Sequence, residues 1–586
     1  MPALVVLLVV MGMFYLGWRY YSLYLSEKVY ALNDANVTPA HTLNDGVDYV
    51  PTNKHVLFGH HFTSVAGAAP IVGPAIAVFW GWLPALIWVV LGTIFAAGVH
   101  DFGSLVVSVR NRAQNIGTLT KSVLNPRSRT LFLVIIFFLL TLVNAVFAVV
   151  IGNLFVANPG AVIPIVAEIP LAIGIGAYIY RTKTSALIPS IVGVVALYAL
   201  ILVGRQFPIE LDGAAEMLGM GPRTLWILLL FLYAFVASRI PVWILLQPRD
   251  YINSHQLFIA LGVIFLGLII GLDRIAAPAI NTAVPDGSPS FFPFLFVTVA
   301  CGAISGFHSL VASGTTSKQL DKESDARHVG YLGAVGEGSL AMGAILATTA
   351  GITAVGLNWE ELYVDFGAAG AGAVGNFVAG IAGFASHLGV PEDLGRIFAA
   401  VVVISFAATT MDTGVRLQRY ILQEIGDMVG TTADGRERGG AGGAFRRVTH
   451  NLTAVTALAV IVPLGLALMP GRGDAEAQGF AFGRLWTLFG TTNQLTAGLA
   501  LAVIAVYVTK QGRSAVAQLV PLSFLLVMTV WALIVNLIDF VERGDWLLAP
   551  LDAIILVLAG WLIVEAFLGM KKAREDRATI DETISS

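Results

Sequence analysis

Apolar runs of about 20 residues follow one another along almost the whole chain, the length a helix needs to cross the roughly 30 Å hydrocarbon core of a bilayer. Candidate spans lie at 3–25, 59–80, 83–110, 130–156, 162–180, 185–204, 223–247 and 255–277. They continue at 291–315, 330–356, 396–422, 449–470, 485–509, 517–541 and 547–570. By length alone 586 residues would make about four soluble domains, but no polar stretch between the runs is long enough to fold by itself. Only 12% of the residues are charged, against about 25% in soluble proteins, which excludes an ordinary water-soluble enzyme. The net charge of −3 and the lack of a basic patch argue against nucleic acid as a partner. A single cysteine, Cys301, forms no intrachain disulfide and no CxxC site. The first run has no basic leader or small-residue cleavage site, so a retained span is expected rather than a signal peptide.

Loops rich in lysine and arginine stay cytoplasmic. The connection after 83–110 carries Arg110, Arg112, Lys121, Arg127 and Arg129 and no acid, which places it inside. Alternation from there also puts Arg181 and Lys183, Arg249, Lys318, Lys322 and Arg327, the arginines of 416–447, Lys510, Arg513 and the basic tail inside. The parity holds if the short Gly-rich stretch 371–388 is a re-entrant or surface helix, and it leaves the amino terminus outside and the carboxyl terminus in the cytoplasm.

In lipid, a helix can be interrupted only where protein or a cavity shelters the freed backbone groups, so breaks point to sites. The span 59–80 holds Gly67, Pro70, Gly73 and Pro74 in close succession, and its prolines remove amide donors and clash with the preceding turn. Five spans later, and so oppositely directed, 223–247 holds Ser238, Arg239, Ile240 and Pro241 in its interior. Two interrupted helices five spans apart are the mark of an inverted five-plus-five repeat. Arg239 reads as the only basic side chain buried in the interior of a span, and its guanidinium suits a carboxylate; the plainer reading pairs it with an internal acid or with helix-end carbonyls.

A polar run at 301–320 supplies Ser305, His308, Ser313, Thr315 and Thr316. Its hydroxyls, with carbonyls freed near Ser64 and Gly67, suit a cation, although Ser and Thr often serve only helix packing in bilayers. His60 and His61 open the first interrupted span, and His100 and Asp101 stand side by side in the next. Imidazoles next to a carboxylate suit a proton relay, whereas His60 and His61 at the interface would only anchor the helix. Asp412 is expected to pair with Arg416, four residues on in the same helix. Thr491, Thr492, Asn493 and Gln494 cluster at the start of their span, where a cap over a helix break or an interhelical contact is the natural use.

The strings GHHFTSVAGAAPIVGP (59–74), GVHDFGSL (98–105), PVWILLQPRDYIN (241–253), SGFHSLVASGTTSKQL (305–320) and LFGTTNQL (488–495), in this order, resemble the carbon starvation protein A family. The resemblance implies an inner-membrane secondary transporter related to the amino acid, polyamine and organocation superfamily. It further implies uptake of pyruvate or of peptides when preferred carbon is scarce, coupled to protons.

The expected fold is therefore an all-α integral membrane protein of about 15 spans, within 15–18, with a LeuT-like five-plus-five core and flanking helices. The first helix and a cytoplasmic linker occupy 1–58, the core 59–422, a cytoplasmic Gly-rich loop 423–448, and four further helices with a cytoplasmic tail 449–586. Substrate is expected at Ser64, Gly67, Pro70, Gly73, Ser238, Arg239, Ser305 and His308. The coupling ion, a proton first and sodium second, is expected at His60, His61, His100, Asp101, Ser313, Thr315 and Thr316. No cofactor, resident metal or catalytic set is expected, and the partners are a small-molecule substrate and the lipid bilayer. The competing reading of another class is an intramembrane metalloenzyme with His60, His61, His100, Asp101 and His308 as ligands, against which no HExxH string occurs.

Overall fold

A computed structural model describes residues 1–46, 48–182, 184–241, 244–432, 436–469 and 482–585, with backbone only at 482–484 and 578–585. Lys183, positions 242 and 243 of the string 241–253, and 433–435 of the Gly-rich loop lie outside the described residues. The chain is helical, and among the described residues only isolated bridges occur in place of strands. Twelve helices are long and apolar enough to cross a membrane, or up to 14 if each of two bent pairs is one span. The fold is thus an all-α, multi-pass membrane protein.

Two sequence spans take a different form. Helix Pro222–Ala237 stops before Pro241, and the next helix begins afresh at Leu246. Proline disfavours helical backbone in the residue before it and cannot donate its own amide, so Pro222–Ala237 ends ahead of it, and Leu246–Gly271 is long and apolar enough to be a span of its own. The run 291–315 instead divides into Phe291–Thr298, Ala300–Ala303 and Phe307–Gly314. The stretch 371–388, expected to be re-entrant or superficial, lies in one continuous 22-residue helix, Phe366–His387, whose length and composition suffice for a crossing.

The chain forms two compact units that interleave in sequence: one comprises 4–135, 278–345 and 490–586, the other 1–3, 136–277 and 346–489. In the first, a bent pair, Lys54–Val65 and Ala69–Trp80, meets at 53° across residues 66–68. It lies antiparallel to the divided helix 291–314. Early His61 bonds late Thr316, whereas late Gly73 and Pro74 touch early Thr298 and Gly302. Glycine permits this approach: a Cβ on Gly73 would stand 2.3 Å from the Thr298 carbonyl oxygen. Trp82–Arg110 and Arg327–Ala354 pack beside the pair, with Gly330 against the Phe102 backbone and Gly336 against the Phe62 ring.

The second unit is built around Leu246–Gly271, Phe366–His387 and the 39-residue helix Glu392–Gly430. Gly267 abuts the Phe384 carbonyl and Gly380 the Ala347 carbonyl, so these helices also meet backbone to backbone.

Candidate functional site

The two interruptions in the first unit leave amides and carbonyls that no helical turn can satisfy. At 66–68 the turn is tightened by Gly67 N–H donating to the Val65 carbonyl at 2.9 Å, and Pro70, in the first turn of Ala69–Ala77, needs no donor there. At 304–306 the backbone of Ile304 is extended. The freed amide of Phe307 donates to Asn493 Oδ1 at 3.2 Å, Ser305 Oγ lies 3.4 Å from the same oxygen, and Asn493 Nδ2 donates to Cys301 Sγ at 2.9 Å. Asn493 therefore clasps the break from a third helix.

Immediately beyond that break stands His308. Its Nδ1 is 2.7 Å from Asp101 Oδ2, and its Nε2 is 3.1 Å from Glu337 Oε2. The other carboxylate oxygen of Asp101 meets His100 Nδ1 at 2.7 Å. His61, in the last turn before the first break, bonds Thr316 Oγ1 through Nδ1 at 2.9 Å and lies within electrostatic reach of Asp101 and His308. All five side chains are buried, and His61 Nε2, His100 Nε2 and Glu337 Oε1 have no hydrogen-bond partner among the described residues. A buried carboxylate held between two imidazoles, with a second carboxylate at the far side of one of them, can accept, store and pass on protons. Among the described residues no group of three His, Cys, Asp or Glu side chains is disposed to hold a metal ion.

The structure brings His61, His100, Asp101, His308 and Thr316 together and places Gly67, Pro70, Gly73 and Ser305 at or beside the breaks. The remaining hydroxyls do local work. Ser64 Oγ donates to the His60 carbonyl at 2.8 Å and Thr315 Oγ1 to Val311 at 3.1 Å, while Ser313 Oγ donates to Ser309 and accepts from the Ile116 amide. His60 is half-buried on the same turn. Glu337 was missed: in LGAVGEGSLAMG it is flanked by glycines and small residues, and its isolation in an apolar span was the available signal.

Ser238 and Arg239 belong to the other unit. Arg239 is exposed, its guanidinium 5.4 Å above the Phe235 ring, so it is not the buried cation expected from sequence. That cation is Arg249, assigned from sequence to a cytoplasmic loop but fully buried in the first turn of Leu246–Gly271. Arg249 donates to Asp412 Oδ2 at 2.6 Å and to Tyr233 Oη at 2.8 Å, with Glu168 Oε1 3.6 Å from its Nε. Asp412 thus pairs across helices and not with Arg416. Arg416 and Arg419 instead cap the stopped helix: Arg416 donates to the Ala237 and Ile240 carbonyls and Arg419 to that of Ser238, at 2.7–3.2 Å. The position of the stop was legible in Pro241; which arginine would serve it was not.

A many-spanned, all-helical chain whose two antiparallel interrupted helices enclose a buried imidazole–carboxylate chain is a membrane transport protein, one that handles a small-molecule substrate within the bilayer. The carbon starvation protein CstA family model matches residues 2–357 and 357–532, and the chain belongs to that family. The peptide transporter CstA of Mycobacterium tuberculosis is 33% identical over 549 residues, 85% of this chain and 70% of that one. The pyruvate/proton symporter BtsT of Escherichia coli is 31% identical over 602 residues, 91% of this chain and 81% of the relative. A solved mutant manganese transporter of Eremococcus coleocola superposes with a TM-score of 0.45 at 14% identity, covering 91% of this chain and 99% of that one, a likeness too distant to bear on fold or cargo.

Proposed function

We propose that this chain is a secondary active importer of the inner or plasma membrane that carries pyruvate, or a similar small monocarboxylate, inward with a proton when carbon is limiting. The observation that carries this reading is Asp101 held between His100 and His308, with Glu337 beyond, at the junction of the two interrupted helices. The amino-terminal ends of Ala69–Ala77 and Phe307–Gly314 both start at the breaks, and such ends favour an anion. A carboxylate held there offsets the charge of a proton on the imidazole chain, so loading both is less costly than loading either. The proton is favoured over sodium because the groups gathered at the junction are titratable imidazoles and carboxylates, and Ser313 Oγ already accepts from the Ile116 amide. The interrupted helix packed against the bent pair is 291–314, in place of 223–247.

The basic loops support a cytoplasmic side that holds the carboxyl terminus, with the amino terminus outside. Arg110 donates to the Ala31 carbonyl, Arg513 to that of Val29 and Lys510 to that of Val123, which gathers three connections assigned to the cytoplasm.

Import of short peptides is the second reading. It is favoured by the two buried carboxylates, Asp101 and Glu337, one of which would suit an ammonium group. Uptake of labelled pyruvate and of a labelled tripeptide into proteoliposomes under an imposed proton gradient separates the two. Saturable, gradient-driven pyruvate entry is expected; peptide entry without pyruvate entry would reverse the order, and entry of neither would remove the proposal.

A further inference from the structure

Away from the interrupted helices, the first unit carries a groove of about 470 Å³ between three of its last helices, Phe482–Lys510, Val516–Glu542 and Leu548–Ser585. Leu519, Leu522, Leu526, Phe567 and Met570 form most of its wall, and Lys571 and Arg574 stand at its mouth. The groove opens to the membrane-facing surface, where Val520, Val564, Phe567 and Leu568 are exposed.

The height of the mouth follows from two independent facts. Lys571 lies about 35 Å along its helix from Leu548, at about 1.5 Å per residue, just past a hydrocarbon core of about 30 Å. Thr509 Oγ1 lies 3.8 Å from Met570 Sδ, so the end of Phe482–Lys510 and the start of the connection to Val516 are at the same level. Among the described residues, Lys571 and Arg574 have only one ion pair between them: Lys571 with Glu575, 3.9 Å long with both side chains about two-thirds exposed, and such pairs hold their partners weakly. Lys510 and Arg513, in contrast, are committed to backbone carbonyls.

An apolar slot in the hydrocarbon with free cations at headgroup height matches one class of molecule, a double-chained amphiphile with an anionic head. We infer that this groove is a binding site for an anionic phospholipid, one acyl chain lying along Leu519, Leu526 and Phe567 and the phosphate between Lys571 and Arg574. The site is independent of cargo and coupling ion.

Native mass spectrometry of the full-length protein, titrated with phosphatidylglycerol and with phosphatidylcholine of the same chains, tests it. The wild type is expected to hold phosphatidylglycerol at least about tenfold more tightly, a difference of about 1.4 kcal/mol. The pair Lys571→Gln and Arg574→Gln removes the preference, and Ala566→Phe, which fills the slot and keeps the charges, weakens binding of both lipids. Inorganic phosphate in excess is expected not to compete. Equal binding of the two lipids, a preference that survives the double substitution, or displacement by phosphate alone would each overturn the assignment.

Discussion

Asp101 Oδ2 stands 2.7 Å from His308 Nδ1 although the two residues are 207 positions apart, and the other oxygen of the same carboxylate is occupied by His100. The carboxylate thus ties an uninterrupted helix, Trp82–Arg110, to the first turn after a break. His308 is the member that can be charged between two acids. Replacing it with glutamine keeps a hydrogen-bonding amide but no titratable ring. His308→Gln, whose amide can still bond Asp101, is therefore expected to purify folded while gradient-driven uptake falls by more than about tenfold, the equivalent of about 1.4 kcal/mol. Uptake assays alongside size-exclusion profiles check both halves.

Two arginines give opposite expectations. Arg249 is buried against Asp412, Tyr233 and Glu168, and Arg249→Gln strands the acids; a loss of about 3–5 kcal/mol is expected, seen as a lower melting temperature and poor yield. Arg239 is exposed and only overlies Phe235, so Arg239→Gln is expected to change stability by less than about 1 kcal/mol and leave uptake intact. Differential scanning fluorimetry of the two variants in one detergent is sufficient.

Asn493 takes the amide that the second break frees. Asn493→Ala leaves the Phe307 N–H buried without its acceptor, and about 1–3 kcal/mol of stability is expected to be lost, measured as a drop in melting temperature. Asn493→Asp keeps the acceptor oxygens and is expected to restore part of it.

Outside the spans, Glu323 fastens the linker that precedes the first interrupted helix. It accepts from Arg110 Nε at 2.6 Å, from the Asn33 amide at 2.7 Å and from Asn36 Nδ2 at 3.1 Å. Burial pushes its carboxyl upward, but these donors outweigh it and hold the group below the ordinary 4.5. A depressed value means that the stabilisation is present above the ordinary value and is lost as pH falls through the lower, folded-state one. Hydrogen exchange at 33–36 is expected to be as protected at pH 5 as at pH 7, and Glu323→Gln to release it at both.

Much of this was legible in the chain. Continuous apolar runs announce a helical membrane protein, and Gly67, Pro70, Gly73 and Pro74 mark the first break because their chemistry acts locally. The second break was not, since 304–306 holds no proline; its backbone groups are satisfied by Asn493, nearly 190 residues away. Pro241 gave a true local signal of the opposite kind, a helix end. Arg249 was hidden for a related reason: its position in a polar, proline-containing string reads as a loop, and only helices from elsewhere in its unit bury it.

The most direct test of proton handling at the junction follows the proton itself. Proteoliposomes loaded with a pH-sensitive dye are given external pyruvate with no imposed gradient, and lumenal pH is recorded beside labelled uptake. The wild type is expected to acidify the lumen in step with pyruvate entry, and Asp101→Asn to show neither. Pyruvate entry without acidification in the wild type, or acidification undiminished in Asp101→Asn, would contradict a proton carried by Asp101 and its histidines.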